Sequence, residues 1–270
     1  MTARRARLDR ELVRRRLARS REHAVALIDS GAVRVQGMVA RKPATMVDTA
    51  AAVVVTGERD DDKDYVSRGG HKLAGALAVF GPRGLTVADR RCLDAGASTG
   101  GFTDVLLRAG ARQVVAADVG YGQLAWSLRS DSRVLVVDRV NVRNLQPATI
   151  EGPVDLTVAD LSFISLRLVL PALADCTCPS GDLVVMVKPQ FEVGRGRVGS
   201  GGVVRDPELR AEAVRGVAES AETMGLGVAG VTVSPLPGPA GNVEYFLWLR
   251  RDAAAADAAQ IARAVREGDA

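Results

Sequence analysis

The sequence is poor in cysteine, histidine and aromatic residues, and each scarcity removes a class of explanation. Three cysteines in 270 residues (Cys92, Cys176 and Cys178) build no disulfide framework, and a lone Cys-x-Cys lacks the further ligands of a zinc site. Small buried thiols in a reducing compartment account for them, and no metal is expected. Aromatics make up only 4%, so the core must be packed from valine, leucine and alanine. No apolar run approaches the ~20 residues of a membrane span, and the basic stretch 1–7 leads into no apolar signal segment. These absences predict a cytoplasmic protein with no membrane partner and no evident obligate protein partner. The two histidines, His23 and His71, are read as structural.

The charge is unevenly spread. Up to Gly57 twelve basic residues stand against five acidic ones, a net +7, so with +4 overall the remainder carries −3. A basic module joined to a near-neutral one suggests a docking domain for a polyanion that feeds a catalytic domain; the plainer alternative is a solvated arginine-rich helix pair. Leu8, Leu12, Val13 and Leu17 recur at helical spacing. Ser20 is placed to cap a second helix carrying Ala24, Leu27 and Ile28, which Gly31 closes. Val33 and Val35 alternate into a strand, Gln36-Gly37 supplies a turn, and 53–56 reads as another strand. The acidic run Asp60-Asp61-Asp62-Lys63-Asp64 is taken as an exposed linker, with metal binding as the lesser reading.

Beyond it, strands are expected at 91–95, 113–119, 134–137, 154–159, 182–187, 228–233 and 243–250. Helical stretches at 103–109, 124–129, 166–173 and 207–224 separate them, which argues for a doubly wound α/β sheet. The turn after the first strand reads Asp94-Ala-Gly-Ala-Ser-Thr-Gly-Gly-Phe102. It fits the Gly-x-Gly-x-x-Gly dinucleotide fingerprint poorly. Gly96 and Gly100 allow close backbone approach, Ser98 and Thr99 offer hydroxyls, and Asp94 a carboxylate for an amino group. Asp118, ending the second strand, can accept two ribose hydroxyls, and Asn141, past the third, can bond an adenine edge. Together these point to S-adenosyl-L-methionine; a plain αβ turn remains the alternative for the glycines.

Ligands of such sheets sit beyond the carboxyl ends of the parallel strands. Asp160 lies at that end of the fourth strand and Lys188 at that end of the fifth. If the last strand is antiparallel, its beginning brings Glu244 to the same edge, and Lys72 can reach it from before the first strand. A lysine serves as general base only when desolvation or a second cation weakens its hold on the proton, so two lysines and two carboxylates at one point suit deprotonation of a hydroxyl. The remaining catalysis is in-line alignment of oxygen, methyl carbon and sulfur. Four separate salt-bridged charges are the alternative. Asp160-Leu-Ser-Phe163 lacks the prolines of amino-nitrogen methylation, and Cys176 and Cys178 precede the fifth strand, at the wrong edge for a cysteine nucleophile.

Several stretches carry a family resemblance. Arg7-Leu-Asp, Ser20-Arg21, residues 27–35 and Lys42-Pro43-Ala44 resemble the S4 RNA-binding domain, which grips structured RNA by shape and phosphate contact. Lys72, Asp160, Lys188 and Glu244 resemble the Lys-Asp-Lys-Glu tetrad of FtsJ-type ribose 2′-O-methyltransferases. With Ser67-Arg-Gly-Gly-His-Lys-Leu73, Asp118-Val-Gly-Tyr-Gly-Gln-Leu124, Lys188-Pro-Gln-Phe-Glu192 and Gly241-Asn-Val-Glu-Tyr245, the chain is similar to the TlyA (haemolysin A) family over almost its full length. The resemblance implies a Rossmann-like class I methyltransferase sheet at 67–270, a small α+β S4-like domain at 1–59 and a linker at 60–66. It implies methylation of cytidine riboses in 16S and 23S ribosomal RNA, with ribosomal subunits as partners and sensitivity to capreomycin-class antibiotics. The basic N-terminal extension and a helical tail at 253–266 resemble the longer members. Mycobacterial members carry an Arg-x-Trp linker where Lys63-Asp64-Tyr65 stands here. Candidate RNA contacts are Arg4, Arg7, Arg21, Arg68, Arg139 and Arg195, the last in a glycine-rich segment, 191–204, read as a mobile lid or a plain surface loop. The rival functions are a non-catalytic RNA-binding factor and a membrane-lysing protein.

Overall fold

The computed structural model describes residues 5–15, 17–18, 20–29, 31–49, 51–55 and 65–269, in two compact units, 1–64 and 65–270. In the N-terminal unit, β1 (Arg5–Arg7) runs into α1 (Leu8–Arg14), followed by α2 (Arg21–Asp29), β2 (Val33–Val35), β3 (Met38–Val39), β4 (Met46–Asp48) and β5 (Val53–Val55). Ser20 Oγ accepts the His23 N–H, and Gly31 leaves α2 in the left-handed region, as their side chains predict. Gln36 and Gly37, both at positive φ, make the two-residue turn between β2 and β3. β1 pairs with β4, and β3-β2-β5 form a second sheet. Leu8, Leu12, Ala24, Ile28, Val33 and Val47 fill the core. The strands β1, β3 and β4 are additions to the sequence reading: at two or three residues they are too short to show an alternation.

Two buried carboxylates hold this unit's first helix. Asp9 accepts from Arg7 and Arg21, and Glu11 from Arg14 and Arg15. Arg15 also donates to the carbonyls of Thr49 and Ala51, fastening α1 to the chain before β5. The Arg7 hydrogen bond first, against the cost of burial, holds Asp9 well below the usual carboxylate range. Arg14 first, then Arg15, lowers Glu11 to about 2.

The second unit opens with Tyr65 and Val66, which pack on its apolar core; residues 60–64 of the expected linker lie outside the described residues. Next come α3 (Arg68–Phe80), β6 (Arg91–Ala95), α4 (Gly101–Arg108), β7 (Gln113–Asp118), α5 (Trp126–Arg129), β8 (Val134–Asp138), β9 (Val154–Ala159) and α6 (Leu170–Cys176). The chain continues through β10 (Thr177–Val187), α7 (Pro189–Glu192), α8 (Pro207–Glu222), β11 (Gly227–Val233), β12 (Tyr245–Arg250) and α9 (Ala258–Glu267). Seven strands form one sheet in the order β11-β12-β10-β9-β6-β7-β8. Only β12 is antiparallel to its neighbours, pairing Tyr245 with Val187 and with Val233. Alternate residues serve opposite faces: Leu93, Val115, Val185 and Leu247 enter one apolar layer, Cys92, Val114, Val184 and Trp248 the other. Each buried leucine or valine contributes roughly 1.5–3 kcal/mol, so the sheet is a rigid platform for what stands at its edge.

The order also fixes where a ligand can enter. The chain leaves β6 toward β7 and β8, then crosses back to β9 on the other side of β6. Connections therefore diverge at the carboxyl ends of β6 and β9, opening a crevice there. The fifth strand begins at Thr177 rather than 182, so Cys178 lies inside it, still toward the far edge. α6 starts later than expected, after a 3-10 turn at Leu166–Leu168, and the tail helix begins at Ala258, capped by Asp257.

Candidate active site

The crevice holds a cavity of about 500 Å³ lined by Gly96, Ser98, Asp118, Val119, Gln123, Asn141, Val142 and Asp160–Ile164. At its floor the β6 turn approaches the β9 exit so closely that a Cβ at residue 96 would stand 2.6 Å from the Asp160 carbonyl oxygen. With φ at +87°, position 96 therefore requires glycine on both counts. Gly100, also at positive φ, lies against Leu124 and Leu128. Asp118, at the end of β7, accepts the backbone N–H groups of Ser98 and Gly120 at 2.8 and 2.6 Å, which aims its carboxylate at the cavity. Asn141, which lines the cavity, caps a 3-10 turn by accepting the Arg143 N–H through Oδ1. Thr99 is exposed and does not line the cavity.

Asp94 sits behind this wall, fully buried. One carboxylate oxygen accepts from Thr103 Oγ1 at 2.7 Å and the other has no partner. Burial, opposed by that hydrogen bond and helped by Asp160, pushes Asp94 up to about 7. An unpaired buried acceptor costs stability until a donor reaches it. The unpaired Asp94 oxygen, buried outside the cavity lining, lacks a donor. The glycine cradle, the Asp118 carboxylate and the Asn141 side chain fit a ligand with a ribose and an adenine. S-adenosylmethionine is such a ligand.

Beside the cavity, the register of the sheet brings four charged side chains to one edge. Val185 pairs with Ala159 and Val187 with Tyr245, so Asp160, Lys188 and Glu244 all stand one residue beyond paired positions. Lys188 Nζ lies 2.5 Å from Asp160 Oδ1 and donates to Ser162 Oγ at 3.1 Å. Lys72, on the first turns of α3, donates to Glu244 Oε2 at 2.5 Å, with both residues buried. The constellation is thus two lysine–carboxylate pairs. Ser162 lies in the stretch Asp160-Leu-Ser-Phe-Ile-Ser165, which carried part of the resemblance, but its contact with Lys188 was not foreseen. Cys92 and Cys176 are pushed by burial up to about 12 and about 11, so neither is a ready thiolate.

Of the arginines singled out, Arg7 and Arg21 both bind Asp9, Arg7 half-buried and Arg21 exposed. Arg68 is exposed at the start of α3, and Arg139 lies over the exposed Tyr121 ring at 4.1 Å. The backbone of Arg195 lies in a short 3-10 turn. Arg4 falls outside the described residues, as do Lys63 and Asp64. His71 is exposed, edge-on to Tyr65. The segment 191–204 is more structured than a free lid, with an Arg197–Glu212 ion pair at 2.5 Å and its end fixed by Asn242. Among the described residues no group of side chains is arranged to hold a metal ion, and no helix is long and apolar enough to cross a membrane.

Both units resemble known proteins. Residues 65–251 match the FtsJ-like methyltransferase model and residues 6–53 the S4 domain. The chain is 60% identical to the 16S/23S rRNA (cytidine-2′-O)-methyltransferase TlyA of Mycobacterium tuberculosis, over 98% of this chain and 99% of that one. It is 37% identical to Hemolysin A of Brachyspira hyodysenteriae over 84% and 92%. A solved structure from Streptococcus thermophilus that carries a hemolysin name is 38% identical, with a TM-score of 0.77 and coverage of 98% and 96%. The chain belongs to the TlyA family of FtsJ-like methyltransferases, with an S4 domain at its N-terminal end.

Proposed function

We propose that this protein transfers a methyl group from S-adenosylmethionine to the 2′-hydroxyl of cytidine in 16S and 23S ribosomal RNA, using Lys72, Asp160, Lys188 and Glu244. The observation that carries the reading is the two lysine–carboxylate contacts, Lys72–Glu244 buried and Lys188–Asp160 partly buried, beside a cavity with an adenosine-like pattern of polar groups. Bound there, S-adenosylmethionine supplies an electrophilic methyl group on a sulfonium centre. Asp118 would hold the ribose hydroxyls, Asn141 the adenine edge, and the unpaired oxygen of Asp94 the amino group.

A ribose hydroxyl is a weak acid, and the chain's own task is to take its proton as the new bond forms. Lys188 Nζ, held by Asp160 and Ser162, is the acceptor in this reading, after passing one of its own protons to the Asp160 carboxylate so that its nitrogen lone pair is free. Lys72 and Glu244 place a second charge pair beside it and orient the sugar. Low water access strengthens each of these contacts. Phe163, 91% exposed at the cavity rim and 5.3 Å from the Phe191 ring, offers an unstacked base an aromatic face. The S4 unit supplies phosphate contacts from exposed Arg5, Arg10, Arg41 and Lys42 and from the free sides of Arg7 and Arg21. A cytoplasmic enzyme with this activity would set the capreomycin susceptibility of its host.

The test is mass-spectrometric mapping of ribose methylation on ribosomal RNA incubated with protein and isotope-labelled S-adenosylmethionine. New 2′-O-methylcytidine with wild type and none with Lys188→Ala is the expected result. Undiminished transfer by the variant refutes the chemistry; absence of transfer by the wild type favours a non-catalytic RNA-binding factor.

A further inference from the structure

Between Lys188 and Val204 runs a strap with five glycines in positions 194–202. Such a chain has high backbone freedom, yet Lys188 at its start must keep its place. The structure shows how its two ends are fixed, by buried polar side chains that no part of the proposed chemistry uses.

At the first end, Glu192 closes the single turn α7, whose Phe191 and Val193 N–H groups bond the carbonyls of Lys188 and Pro189. Its carboxylate, only 7% exposed, accepts from Ser165 Oγ at 2.5 Å and from the Leu166 N–H at 2.7 Å. Arg167 returns the grip by donating to the Glu192 carbonyl. Ser165 and Leu166 end the loop that begins at Asp160, lines the cavity through Ile164 and offers Ser162 to Lys188. At the other end, Asn242 is 2% exposed and commits its whole side-chain amide to the strap: Oδ1 accepts the Val204 N–H and Nδ2 donates to the Gly202 carbonyl, both at 2.9 Å. Asn242 stands two residues before Glu244, in a loop closed by Gly238 N–H to Asn242 O and Ser234 N–H to Glu244 O. A Cβ at residue 238 would come 2.6 Å from Glu244 Oε1, so this loop wraps the carboxylate tightly.

We infer that Glu192 and Asn242 are positioning residues that stake the two ends of the glycine-rich strap to the Asp160 loop and the Glu244 loop, and so keep both lysine–carboxylate pairs in place. Burying an acid and an amide is costly unless their polar atoms are satisfied, and here every satisfying contact joins the strap to a loop bearing one of the four charged residues. The inference rests on the catalytic reading above. Misplacing a reacting group by about 1 Å can cost a hundredfold in rate without weakening binding.

The experiment compares full-length wild type, Glu192→Ala, Glu192→Gln, Asn242→Ala and Lys188→Ala in steady-state methyl transfer and in amide hydrogen exchange without RNA. Both stake alanine variants should lose about tenfold to a hundredfold in kcat with KM for RNA within about threefold. Exchange should accelerate at the Leu166 N–H in the first and at the Val204 N–H in the second. Glu192→Gln, which still offers an oxygen to Leu166 and an amide to Ser165, should recover most of the rate. A purely structural role would reduce folded protein and leave kcat per folded molecule unmoved, which overturns the inference. Glutamine as slow as alanine overturns it too. An inactive Lys188→Ala beside fully active stake variants defeats the stakes alone, whereas an active Lys188→Ala defeats the catalytic reading itself.

Discussion

Carboxylates buried wholly or in part meet cations in both units, but the cations differ. In the N-terminal unit Asp9 and Glu11 are each shared by two arginines, whereas in the second unit Asp160 and Glu244 each face one lysine. Arginine keeps its charge at any accessible pH and spreads several donors in a fork, so it suits permanent cross-links. Lysine concentrates its charge on one nitrogen that can give up a proton. The same sort of ion pair is therefore scaffolding in one place and a candidate for chemistry in the other, and the choice of cation separates them.

The largest expected effect breaks the contrast at the lysine. Lys188→Arg keeps a cation for Asp160 but removes the proton acceptor, so kcat should fall about a hundredfold to ten-thousandfold with little change in thermal midpoint. Near-wild-type turnover would mean that only charge is needed there. The reverse exchange, Arg15→Lys, cannot reach Glu11, Thr49 and Ala51 together, and a loss of about 1–3 kcal/mol is expected in denaturant unfolding of the N-terminal unit. An unchanged midpoint would show that the fork is dispensable.

Acid sharpens the comparison further. Glu11 titrates near 2 when folded and near 4.5 otherwise, so the unfolded chain binds protons first. Its stabilising contribution is full above about pH 4.5 and is lost as pH falls toward 2. The N-terminal unit should lose stability over that window, and Glu11→Gln should flatten the loss, followed by circular dichroism. Asp94 has the opposite sign: folding raises it from 3.8 to about 7. Its contribution is full below about pH 4 and fades as pH rises through 7. Asp94→Asn should remove that decline, seen as a smaller pH slope in the melting temperature of the second unit; an unchanged slope would place the proton elsewhere.

Much of this was legible in the residues. The seven strands of the large sheet were recognisable because each is a run of mainly apolar residues bounded by turns, and an antiparallel last strand, expected from the methyltransferase topology, placed Glu244 at the Lys188 edge. The capping Ser20 and the Gln36-Gly37 turn were readable because their signals are local. Other features were not. Arg7 and Arg21 stood out as RNA contacts, but nothing in Arg-Leu-Asp tells that Asp9 turns inward and also binds both. Ser162, Glu192 and Asn242 lay in stretches that carried the resemblance, but their contacts were not legible because their partners lie 26, 26 and 40 residues away.

Periodicity, turn chemistry and the run of charge are properties of neighbouring residues, and the amino-acid order alone determined them: two units, a doubly wound sheet, a glycine turn, and which residue types could do proton chemistry. Which lysine meets which carboxylate was decided only by the tertiary structure. Strand register sets those meetings, and register depends on contacts between segments far apart in the chain, where a shift of one residue would turn Lys188 or Glu244 to the other face of the sheet.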